Sequence, residues 1–99
     1  MPLATRKFID GELLRIERMR RRLQWAAWEA ETGRTKQAWC AYIRGERTVA
    51  PSVIAKAEAL LQLEPGQLTA GVDQEAAGRR ARELRRQRAM RRPRHCCQR

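Results

Sequence analysis

Ten arginines and a single acid, Glu83, occupy residues 79–99. A guanidinium is planar, always charged, and forks two N–H donors toward the oxygens of one phosphate. A run this dense is chemistry for an acidic partner. The rest of the chain is nearly balanced: residues 1–78 carry twelve basic and ten acidic residues, a balance of +2, against +9 for residues 79–99. With 22 Lys+Arg and 11 Asp+Glu in 99 residues, the formal net charge is +11. Nucleic acid is the first partner this implies and an anionic membrane surface the second. Three readings of the arginine run follow. The first is a sequence-independent DNA arm, with Arg79, Arg80, Arg82, Arg85 and Arg86 on phosphates. An RNA-binding segment comes second and a solvated tail third.

Other reactive side chains are few. His95, Cys96 and Cys97 are adjacent, whereas structural zinc uses spaced pairs that let the chain wrap the ion, so no metal is expected. The three cysteines, Cys40, Cys96 and Cys97, suggest no disulfide framework, and a reducing cytoplasm is the simpler setting. One histidine, in the tail, and one serine, Ser52, offer catalysis little, and no phosphate-cradling glycine loop is present. The expectation is a protein that is not an enzyme and needs no cofactor. The N-terminus has no apolar h-region of a secretory signal. The most apolar run, "VIAKAEALLQL", is too short and polar to span a bilayer, so no membrane is expected.

The elements that must carry these residues read as helices throughout. Ile9, Leu13, Ile16, Met19 and Leu23 recur at steps of three and four and predict an amphipathic helix, capped by Asp10, with Arg15, Arg18, Arg21 and Arg22 outward. "QWAAWEAET" predicts a second helix ending at Thr32, with Gly33 just beyond its end. Thr35 caps a third, "KQAWCAYI", which Gly45 ends in the same way. Pro51 suits the first position of a fourth, whose face is Val53, Ile54, Ala57, Leu60 and Leu61. Pro65 and Leu68 predict a closing turn, and Ala77, Ala81 and Leu84 a weak helical stripe. Residues 92–99 read as disordered. No strand pattern appears.

Helix, short glycine-bearing turn and second helix, with a basic balance, form a helix-turn-helix pattern. Residues 13–68 resemble the lambda-repressor/Cro-type (XRE-like) helix-turn-helix domain. The resemblance rests on Leu23 and Gln24, a helix, Gly33, the Arg34–Thr35 turn, "KQAWCAYI", Gly45, and the ending "GERTVAPSVIAKAEALLQLEPGQL" with its Pro-x-x-Leu close. It depends most on the Gly33-to-Gly45 spacing. Two positions depart from the family pattern: Glu29 stands where a small residue is usual, and Trp25 where glutamine is usual.

The resemblance implies an all-α domain of four to five helices over residues 9–70, an N-terminal extension at 1–8 and a basic, partly helical arm at 71–99. It implies sequence-specific binding of double-stranded DNA, with recognition helix 35–44 in the major groove, and transcription regulation of the phage, mobile-element or antitoxin type. Thr35, Lys36 and Gln37 would open the recognition helix, Lys36 donating to guanine and Gln37 pairing with adenine. Cys40 and Ala41 would face the groove or its wall, while Arg44 and Arg47 hold phosphates with Gln24 and Trp25. Trp39, Tyr42 and Ile43 would face the core. In the Glu29 register, alanine there would be neutral or stabilising. A homodimer on two half-sites is one further implication. The alternatives are a protein-interaction module that binds a toxin or the transcription machinery, and an RNA-binding protein acting through the arm.

Overall fold

The chain's helices start and stop where its capping residues stand. The computed structural model describes residues 5–91, with Arg91 by its backbone alone, so the readings of His95, Cys96, Cys97 and residues 92–99 lie outside it. The order is α1 (Gly11–Arg20), α2 (Trp25–Thr32), α3 (Lys36–Arg44), α4 (Pro51–Leu60), α5 (Gln67–Ala70) and α6 (Gln74–Arg91). Asp10, Thr35 and Asp73 each accept a backbone N–H of the helix they precede, at 3.1, 3.2 and 3.1 Å. Gly33 and Gly45 end α2 and α3 at φ 75° and 81°, the left-handed backbone that a Cβ disfavours. Among the described residues, strand pairing is limited to one antiparallel bridge between Lys7 and Val49. The all-α expectation holds: among the described residues five helices fall within 9–70, and the sixth, α6, is in the arm.

Trp28, Trp39, Leu14, Val49, Leu61 and Leu68 form the fully buried centre. Trp39 lies edge-on to both Trp28 and Tyr42, at centroid distances of 5.2 and 5.1 Å, an arrangement that suits the ring quadrupoles. Its indole N–H donates to Thr32 Oγ1 at 3.0 Å, and the Thr32 hydroxyl donates to the Trp28 carbonyl at 2.8 Å. These contacts tie α3 to α2. A second polar tie lies below α4. Glu58, only 5% exposed, accepts the N–H groups of Gly66 and Leu68 at 2.9 and 3.1 Å and folds the chain into α5.

The face of α1 differs from the one its apolar spacing predicts. Leu14 is the core residue, Leu13 is half-buried, and Ile16 and Met19 are 41% and 58% exposed. The cause is Gly11, which carries no apolar signal in the sequence yet lies buried against the backbone of Ile43. That contact turns the 11–14–18 row inward. Of the expected outward arginines, Arg15 and Arg22 are exposed, while Arg18 and Arg21 are half-buried. Arg18 donates to the Leu23 carbonyl at 2.7 Å and Arg21 to the Leu61 carbonyl at 2.8 Å, so both brace the α1–α2 corner.

The segments expected to flank residues 9–70 meet each other. Phe8 donates its N–H to the Gln74 side-chain oxygen at 2.8 Å and receives the Gln74 amide on its carbonyl at 2.9 Å. Ala81 of α6 is 1% exposed. The front half of α6 is therefore part of the packed body.

At Gly11 an added Cβ would lie 2.1 Å from the Ile43 carbonyl oxygen, where only backbone can yield. Gly11→Ala is expected to cost roughly 1–3 kcal/mol, the scale of overpacking. Urea denaturation checks this, and an unshifted midpoint would show that α1 and α3 are not locked at this point.

Candidate nucleic-acid interface

Every residue of this surface is set by the α2–α3 corner. α2 ends at Thr32, the three residues Gly33, Arg34 and Thr35 turn the chain, and α3 begins at Lys36. The Thr35 hydroxyl accepts the Ala38 N–H, which leaves the side chains of Lys36 and Gln37 exposed on the first turn of α3. Trp39 and Tyr42 point the opposite way, into the core, as their spacing predicts, while Ile43 is half-buried. Arg34 and Arg47 are exposed at the two ends of α3, and Cys40 is half-buried between them.

Ala41 departs from its expected place. It is 8% exposed and does not face outward with Lys36 and Gln37. The chain reverses at Gly45 and returns over it, with the Glu46 N–H on the Ala41 carbonyl at 3.0 Å. A methyl is too short to emerge from under that turn.

Trp25 forms the upper edge. It is half-buried, with the Arg18 guanidinium 4.0 Å and the Lys36 ammonium 5.9 Å from its ring centroid. Both cations lie within cation–π range of one indole. Gln24, just before α2, is exposed and makes no side-chain cap bond.

Glu29 is the feature that the sequence reading misassigned. Its carboxylate accepts the Lys36 N–H across the turn, where a negative charge also favours the start of α3. The crossing is closed by a hydrogen bond instead of a small side chain. Ala30, the next residue, is exposed and does not fill the crossing in its place. The only signal was the departure itself, an acid seven residues before a helix N-terminus.

Glu46 is the second missed residue. Its side chain is 13% exposed and binds Arg44 at 2.9 Å and Arg88 at 2.7 Å. The Arg44 hydrogen bond, reinforced by the charges of Arg44 and Arg88, holds its carboxyl below the usual range despite the opposing effect of burial. Arg44, expected on a phosphate, is thus engaged within the protein, and its own pKa is raised by the same bond. On α6, Arg85 donates to the Glu46 carbonyl at 3.3 Å and Arg86 pairs with Glu83. Arg79, Arg80 and Arg82 are exposed.

No family model, curated protein or solved structure matches the chain. Among the described residues no helix is long and apolar enough to cross a membrane.

Two outcomes test this geometry. Glu29→Ala is expected to destabilise the fold by about 1 kcal/mol, the cost of a lost cap, which reverses the neutral or stabilising expectation. Thermal denaturation reads it, and a raised midpoint would remove Glu29 from the α3 start. Glu46, whose folded-state pKa is depressed, adds stability that is complete above the ordinary value of 4.5 and fades as pH falls through the depressed value. The stability gap between the native chain and Glu46→Gln should therefore be widest near neutral pH and close in acid. A gap that does not change with pH would mean that the ion pairs contribute nothing.

Proposed function

We propose that the protein binds double-stranded DNA sequence-specifically and regulates transcription, with α3 entering the major groove. One observation carries the reading: the buried faces of Trp39 and Tyr42 leave Lys36 and Gln37 as the exposed first turn of a capped helix. The N-terminal residues of such a helix meet base edges, where lysine suits guanine and glutamine suits adenine. The cations around them support it. Arg18 and Lys36 flank Trp25, and Arg34 and Arg47 stand exposed at either end of α3. Gln24 and the N–H groups that open α2 suit a phosphate, and the exposed arginines of α6 suit the neighbouring backbone. Cys40 is left to touch the groove wall. On this reading the protein acts in the cytoplasm, as a repressor of the phage, mobile-element or antitoxin kind.

A second reading, a protein-contact module, is favoured by Ile16 and Met19, two apolar side chains exposed on α1.

Selection of bound sequences from random duplex DNA is the test. A short enriched motif is expected, and a palindrome would indicate a dimer. On that motif Gln37→Ala should cost about 1–3 kcal/mol, with little change on random DNA. Absence of enrichment would favour the protein-contact reading, and equal loss on both kinds of DNA would remove Gln37 from base reading.

A further inference from the structure

Four arginines from three distant stretches of sequence converge beside the α3–α4 loop. Arg6 comes from the N-terminal segment, Arg47 from the loop, and Arg82 and Arg85 from α6. They line one open cleft of about 370 Å³, with Phe8 and the buried Ala81 also in its lining. Two guanidiniums are already oriented. Arg6 donates to the Thr48 hydroxyl and carbonyl at 3.1 and 2.8 Å, and Arg85 to the Glu46 carbonyl at 3.3 Å. Arg47 and Arg82 are exposed and form no ion pair among the described residues. The one carboxylate of the lining, Glu46, is engaged by Arg44 and Arg88.

Four like charges around one space repel one another, and the lining's one carboxylate is already shared between two further guanidiniums. Guanidinium forks fit the oxygens of phosphate, and four of them exceed what a single phosphate can use. We propose that this cleft is a binding site for two or more adjacent phosphates. Such phosphates come either from a free polyphosphate or from a nucleic-acid backbone. In the second case the cleft, lined by Glu46 and Arg47 just past the C-terminal end of α3, stands at the opposite end of that helix from Lys36 and would meet a backbone strand. The site does not depend on base reading by Gln37.

The test compares two double variants of the full chain, Arg47→Ala/Arg82→Ala and Arg22→Ala/Lys56→Ala. Each removes two exposed positive charges, but only the first pair lines the cleft. Thermal denaturation confirms that both remain folded. The probes are inorganic tripolyphosphate, by calorimetry, and a random-sequence duplex, by anisotropy over a salt series. If the source is a free anion, tripolyphosphate binds the native protein and the cleft pair weakens it at least about tenfold, against less than about twofold for the control pair. If the source is a backbone, the cleft pair flattens the slope of log affinity against log salt by up to about 1.8, more than the control pair does. Equal effects of the two pairs on both probes would show only diffuse attraction to a basic protein and would overturn the proposal. So would a lack of tripolyphosphate binding together with equal salt slopes. A failed search for a DNA motif leaves these comparisons unaffected.

Discussion

The indole of Trp39 is the constraint on which the surface depends. It is fully buried, edge-on to Trp28 and Tyr42, and its single donor is satisfied by Thr32. A ring of that size, held at both faces and at its N–H, leaves α3 one orientation against α2. The exposure of Lys36 and Gln37 follows from it, because they precede Trp39 on the same helix. So does the position of Gly45, where α3 must end for the chain to return through Val49 into α4. Glu29 and Thr35 then secure the start of α3 with hydrogen bonds that a loosely placed helix could not keep.

Charge in this protein serves two purposes, and the net figure of +11 does not separate them. Arg6, Arg18 and Arg21 donate to backbone carbonyls, and Arg44 and Arg88 share Glu46. These cations are engaged within the protein, two of them, Arg18 and Arg21, half-buried. Arg15 and Arg20 form exposed pairs one turn from Glu12 and Glu17, the kind that adds little to stability. Among the cations left open for a partner are Arg34, Lys36 and Arg47 around α3, and Arg79, Arg80 and Arg82 on α6.

Much of this was legible in the sequence where the signal was local. Asp10, Thr35 and Pro51 start helices, and Gly33 and Gly45 end them, for reasons contained within four residues. The inward set Trp39, Tyr42, Val53, Ile54 and Ala57 follows from helical spacing alone. Reading failed where the decisive contact was distant. The α1 face was misjudged because its pivot is a glycine pressed on a backbone 32 residues away. Ala41 was misplaced because the chain folds back over it after Gly45. Glu29 and Glu46 gave no periodic signal, since each works by reaching across a turn. Of the expected site, Lys36, Gln37, Arg44 and Arg47 stand exposed around α3, with Arg44 also paired to Glu46.

Gln74 joins its α-helix to the backbone of Phe8 with two hydrogen bonds, 66 residues apart in the chain. A side-chain amide here does what a neighbouring strand would do, giving one donor and one acceptor to an extended segment. Closing so long a loop costs entropy that the short-range α2–α3 corner does not. Cooperative opening tends to follow such divisions, with the weakest long-range joins released first. The N-terminal segment and the front of α6 are therefore coupled as one unit of opening. Amide exchange in the two should rise and fall together, although the sequence sets them at opposite ends.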